Sequence, residues 1–287
     1  MPKKNTNFFP KKYYIFFLKI ILKIKIFFVF LYKIIQLIYN MKNLNNSTII
    51  RNISKDQKEI LYNIMQLHNN GNAFDCDMTA SKLIFYKKKK GDKYEIPMPK
   101  YLFDVYPTSD GITKITPFNK LPLEDKSISS IVIDLPFVIS PHTAPSVNKD
   151  DASLIAKRFS GFYPVMELYE NYFWWINEAF RVLKDNGICV FKCQSMVSGG
   201  IQHWSEEYSF LCAQKAGFYV KDKFYLQADN RLISAGKYKA QQHARKYTSV
   251  FFVFQKGNNK KAEKVDYINM LNNMSVESLE GKVWEVK

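Results

Sequence analysis

Cysteine is scarce, with four in 287 residues. That excludes a disulfide scaffold and suits a reducing, cytoplasmic setting. Cys189 and Cys193 invite a metal reading, but on one strand they stand about 13 Å apart, too far for a single tetrahedral zinc. Cys76 and Cys212 have no partner spacing, so all four read as core thiols and no metal is expected. Histidine is equally sparse, four in all, and neither His142 nor His203 has a triad around it. No Gly-Lys-Ser/Thr follows the turn at 195–200, which excludes a phosphate loop. Acidic residues are missing from positions 1–40, where eight lysines place half of the formal net charge of +16.

What is present is ordinary globular usage, 47% hydrophobic and 24% charged. The chain is therefore not disordered, collagen-like or a multi-span membrane protein, and it is long enough to bury a sizeable core. A pI near 9.4 favours an anionic partner, nucleic acid or a membrane surface.

Residues 13–39 are hydrophobic and long enough to span a bilayer, but four lysines interrupt them. A central lysine costs about 2.5–3.5 kcal/mol, while each Leu, Ile or Phe returns about 0.3–0.6, so insertion is near balance. No small-residue cleavage site follows, which argues against a secretory signal. Residues 1–40 read as a basic hydrophobic extension, with a membrane anchor and a basic surface helix as rivals. The domain proper is expected over 41–256, with a polar tail over 257–287.

Ser54 reads as an N-cap with Gln57 closing a capping box, and a helix follows to Asn70-Gly71. Residues 101–106 and 128–133 read as strands, the second ending at Asp134. Residues 87–90 are four lysines in a solvated loop, and Pro136, Pro141 and Pro145 mark a long loop to about 163. A strong helix over 166–183 precedes a buried strand at 188–193. A helix over 205–216 and strands at 218–226 and 249–255 complete the pattern. Strands alternating with helices predict an α/β fold with a mostly parallel sheet, whose ligands bind at the carboxyl ends of the strands.

The strand ending in Asp134, followed by Leu135, Pro136 and Phe137, suits a grip on a planar amine. The carboxylate can accept one N–H of an exocyclic amino group and the Leu135 carbonyl the other, while Phe137 stacks on the ring. Such an amine is a poor nucleophile, so its orientation matters more than its deprotonation. Taken alone, the same residues also suit a strand followed by an ordinary proline turn.

Residues 121–128 (LPLEDKSI) precede this strand, and 177–192 (NEAFRVLKDNGICVFK) follow. Together they resemble the Rossmann-like S-adenosylmethionine (SAM)-dependent methyltransferases. The Asp134–Phe137 motif then resembles that of the amino-methylating DNA methyltransferases, which act on adenine N6 or cytosine N4. Residues 74–86 look like the family's cofactor loop and 103–107 like its second acidic motif. Lys192, Gln194 and residues 241–254 match a compact, phage-associated type of DNA methyltransferase, which implies a link to restriction–modification. The similarity covers roughly 55–256. It departs at Leu135, where the family has Pro, and between Asp77 and Tyr86, where the family commonly has a glycine and this chain has Leu83.

The resemblance implies a DNA methyltransferase using SAM. Asp134, Leu135, Pro136 and Phe137 would be catalytic. Asp77, Met78, Thr79, Ser81, Asp104, Tyr106 and Asn119 would hold the cofactor. His243, Arg245 and Lys246, with the loop 138–163 and the stretch 236–247, would touch nucleic acid. The rivals are RNA as the substrate, and a decayed, non-catalytic nucleic-acid-binding fold.

Overall fold

The computed structural model describes residues 31–32, 49–138, 165–198, 200–229, 242–257 and 267–275. The chain divides into two units, Met1–Ile50 and Arg51–Lys287, and the fold below is that of the second. Most of 13–39 lies outside the described residues, as do residues 139–164, where most of the expected loop 138–163 falls, and residues 230–241. Among the described residues no helix is long and apolar enough to cross a membrane.

Ten strands and four helices are described. The strands are β1 (Ile53–Ser54), β2 (Cys76–Asp77), β3 (Tyr101–Asp104), β4 (Thr113–Lys114), β5 (Ile128–Asp134), β6 (Leu183–Cys193), β7 (Met196–Ser198), β8 (Ile201–His203), β9 (Phe218–Gln227) and β10 (Thr248–Lys256). The helices are α1 (Gln57–His68), α2 (Val165–Val182), α3 (Ser205–Ala216) and α4 (Tyr267–Asn272). Eight strands form one sheet in the order β1-β9-β10-β6-β5-β2-β3-β4, and β7 and β8 pair separately. Every neighbour in the large sheet is parallel except β10, which runs against both β6 and β9. This is the expected Rossmann-like α/β architecture, a mostly parallel sheet flanked by helices.

Side chains alternate across the sheet. Ile131, Ile133, Cys189, Phe191, Val250, Phe252 and Phe254 share one core with Leu168, Tyr172, Trp175 and Ile176 of α2 and Cys212 and Ala213 of α3. The intervening Val132, Val190, Phe251 and Val253 are also buried, on the opposite face. There α1 lies over β9 and β10, with His68 edge-on to Phe224. All four cysteines are buried thiols, and burial pushes their ionisation up.

The 121–128 and 177–192 segments meet as scaffolding. Glu178, buried, accepts a hydrogen bond from the Leu121 amide at 2.6 Å. Arg181 binds Glu178, the Leu121 and Leu123 carbonyls and Asp125. Buried Lys256 donates to the Phe180 and Leu183 carbonyls at the end of α2, satisfying acceptors a helix terminus leaves open. One expectation is corrected. The cap of α1 is Asp56, whose side chain accepts from the Lys58 amide. Ser54 belongs to β1 and hydrogen-bonds Glu59 instead.

Candidate active site

Strands β2, β3 and β4 run outward in sequence from β2, and β5 returns to lie on the other side of β2. The sheet therefore has a topological switch point between β2 and β5, where open α/β sheets bind ligands outside the carboxyl ends of their strands. Three strands end there in a carboxylate: Asp77 on β2, Asp104 on β3 and Asp134 on β5.

Asp77 is 1% exposed and engaged within the fold. One oxygen accepts from the Tyr86 hydroxyl at 2.7 Å, the other from the Thr79 amide at 2.8 Å and the Thr79 hydroxyl at 3.2 Å. Burial pushes its carboxyl up to about 6, against the lowering effect of those hydrogen bonds. Thr79 Oγ1 also accepts from the Asp134 amide at 2.7 Å. Asp77, Thr79 and Asp134 thus form one chain of contacts across the switch point.

The loop after β2 folds back on β3. Ala80 donates to the Phe103 carbonyl at 2.9 Å, and the Ser81 amide donates to Asp104 Oδ2 at 2.9 Å. The Tyr106 amide donates to Asp104 Oδ1 at 2.7 Å. Burial raises the Asp104 carboxyl, and the two amides oppose that rise. Ser81 (φ +37°) and Leu83 (φ +57°) are left-handed. The loop takes the backbone conformation that glycine favours, with a buried leucine at Leu83. Met78 is buried, while Tyr106 is 61% exposed and Asn119 lies on the surface. Neither the Tyr106 ring nor Asn119 is drawn into the hydrogen-bond chain around Asp77, Asp104 and Asp134.

Asp134 aligns with Lys192 of β6 across the parallel β5–β6 pair. Lys192 Nζ donates to Asp134 Oδ2 at 2.9 Å, with the two side chains only 11% and 16% exposed. Leu135 is buried, and Pro136 and Phe137 are half-buried. Beside them lies a cavity of about 160 Å³ walled by Phe137, Lys192, Gln194, Leu226, Ala228, Tyr247 and Ser249. Gln194 is 2% exposed, and its amide donates to the Thr248 carbonyl at 2.7 Å, tying the end of β6 to the start of β10.

His243 and Arg245 are exposed and Lys246 is half-buried, on the segment leading into β10. A ring nitrogen of His243 lies 2.9 Å from the Gly200 carbonyl. This basic segment therefore borders the cavity through Tyr247. A larger hollow of about 460 Å³, lined by Glu206, Phe210, Lys223 and Phe252 among others, contains none of the residues expected from sequence.

Lys192 and Gln194 have no role in the sequence reading, and Tyr247 and Tyr86 enter it only as members of the 236–247 and 74–86 segments. Lys192 had a usable signal, a lone cation ending the apolar run Ile188–Phe191, but its partner is visible only once β5 and β6 are aligned.

No protein-family model matches this sequence, and no curated protein matches it. Solved structures are similar to it. One is the PvuII cytosine-N4-specific DNA methyltransferase, with 16% identity over 47% of this chain and 44% of that one and a TM-score of 0.32. A second, from Thermus thermophilus, is described as a DNA modification methylase and was solved with SAM. It shows 14% identity over 55% of this chain and 59% of its own, with a TM-score of 0.29. A third is the complex of the Haloferax volcanii Trm112 methyltransferase activator with a methyltransferase, at 12% identity, 66% and 84% coverage and a TM-score of 0.35. The chain thus spans less than two thirds of the length of the first two.

Proposed function

We propose that this chain is a SAM-dependent methyltransferase that methylates an exocyclic amino group of a base in DNA, at adenine N6 or cytosine N4. The observation that carries the reading is the placement of Asp134. It ends the strand bordering the switch point, with the acidic ends of β2 and β3 on one side and a small cavity walled by Phe137 and Tyr247 on the other.

The β2–β3 side fits the cofactor. Asp104 is half-buried at a strand end, where carboxylates hold the vicinal hydroxyls of a ribose. Each of its oxygens accepts one backbone amide and retains a further acceptor position. The backbone of Thr79–Ser81, with Met78 behind it and Tyr106 at the rim, would complete the binding surface. Asp77 would act through Thr79 and Tyr86, since its own oxygens are engaged. The bound cofactor supplies an electrophilic methyl group on a cationic sulfur.

The β5–β6–β10 side fits the base. A nucleobase flipped from a duplex would enter the cavity with Phe137 and Tyr247 as aromatic walls. Asp134 and the Leu135 carbonyl would take the two amine hydrogens. So oriented, the amine would present its lone pair toward the methyl group that the cofactor would supply. The Asp134 carboxylate would take the surplus amine proton and pass it to water. His243, Arg245 and Lys246 would contact phosphates, which sets affinity and register rather than sequence preference.

The test is incubation of the full chain with methyl-labelled SAM and unmodified DNA or RNA, followed by nucleoside analysis. Label in N6-methyladenine or N4-methylcytosine of DNA is expected. Label confined to RNA would move the substrate to RNA, and no label in either polymer would overturn the enzyme reading in favour of a non-catalytic fold.

A further inference from the structure

The geometry points to Lys192 as a positioning residue for Asp134: by holding Oδ2 of the carboxylate, it turns Oδ1 toward the amine of the target base. This inference rests on the methyltransferase reading and assigns a role to a side chain that reading does not require.

Lys192 stands on β6 in direct register with Asp134, and its Nζ donates to Oδ2 at 2.9 Å. The ammonium lies 5.4 Å from the centre of the Phe251 ring and 5.8 Å from that of Phe85. The ammonium is therefore flanked by two aromatic rings that attract its charge. Among the described residues Asp134 Oδ2 is the only hydrogen-bond partner of this ammonium, and none of those residues donates a hydrogen bond to Oδ1. The Asp134 main chain is fixed separately, through its amide on Thr79. One contact thus sets the position of the residue and the other sets the rotation of its carboxylate.

A buried ion pair adds little to stability, because desolvation offsets the attraction. What it adds is direction. A terminal carboxylate torsion is broad and roughly two-fold when nothing holds it. An amine whose lone pair must point at a methyl carbon tolerates little misplacement. Lys192 also walls the cavity with Phe137, so the held carboxylate and the space for the base share a boundary.

The experiment compares full-length wild type, Lys192→Met and Lys192→Arg. The readouts are kcat and KM for the nucleic acid, SAM affinity by calorimetry, and the thermal midpoint. Lys192→Met is expected to lower kcat about 100-fold with SAM affinity unchanged. Lys192→Arg keeps the charge on a differently shaped head and is expected to recover part of the loss, leaving kcat about tenfold below wild type. A purely structural lysine would lower the midpoint and leave the kcat of the folded protein alone. Wild-type kcat in Lys192→Met therefore overturns the inference while leaving the methyltransferase reading intact. If Lys192→Met does not fold, Lys192→Arg decides: a reduced kcat at unchanged SAM affinity supports the role, and an unchanged kcat overturns it. A wild-type chain that methylates neither DNA nor RNA overturns both.

Discussion

At the scale of single residues, the three strand-end aspartates do different work because their surroundings differ. Asp77 is sealed in, Asp104 is held by two backbone amides at the rim, and Asp134 is paired with a cation beside a cavity. Asp77 has a consequence for pH. Its folded-state carboxyl sits at about 6 against an ordinary 3.8, with burial as the largest cause. A carboxyl raised on folding favours the neutral form, so its contribution is fully present below about 3.8 and is lost as pH rises through about 6. Asp77→Asn removes that dependence while keeping an acceptor for the Thr79 amide. The stability of Asp77→Asn relative to wild type is expected to increase by about 2–3 kcal/mol between pH 4 and pH 7. Chemical denaturation of both proteins across that range measures it, and a constant difference would refute the assignment. Asp134 and its followers were legible from sequence because an apolar strand ending in a carboxylate is a local pattern. Lys192 was not, because its meaning depends on a neighbour 58 positions away.

At the scale of elements, β5, β9, β10, the 188–193 part of β6 and helices α1 to α3 were legible. Strands β5, β6 and β10 carry apolar runs buried on both faces, and α1 and α2 carry apolar stripes at helical spacing. But β6 begins at Leu183, where the sequence reads as the end of the helix. Strands β1, β2 and β4 have two residues each, too few to display a period. They form because longer neighbours offer them a ladder. β2 is the important omission from the strand pattern, since it lies between β5 and β3 and defines the switch point. The loop that follows it settles a conflict between two local preferences. A left-handed leucine costs about 1–2 kcal/mol, whereas burying a leucine side chain returns about 1.5–3 kcal/mol. Leu83 is 7% exposed, so packing wins. Leu83→Gly is accordingly expected to destabilise the protein by about 1 kcal/mol despite relieving the backbone. A thermal melt with equal or greater stability in the variant would show that strain dominates this loop.

At the scale of the whole molecule, sheet order divides the labour. The strands on one side of the switch point carry the expected cofactor residues, and those on the other wall the cavity, with Asp134 at the boundary. The signature segments 121–128 and 177–183 prove to be scaffolding, bound to each other through Glu178 and Arg181. Their place on either side of the Asp134 strand was legible, but their part in holding the strands was not, because it depends on contacts between separated segments. The excess of positive charge over the chain suits a polyanionic substrate without identifying it. The decisive measurement is the rate of labelled methyl transfer to nucleic acid by full-length Asp134→Ala against wild type, with SAM affinity measured alongside. A loss of at least about 100-fold with SAM affinity retained is predicted. Transfer at the wild-type rate in the variant would contradict the assignment of Asp134 as the group that holds the amine.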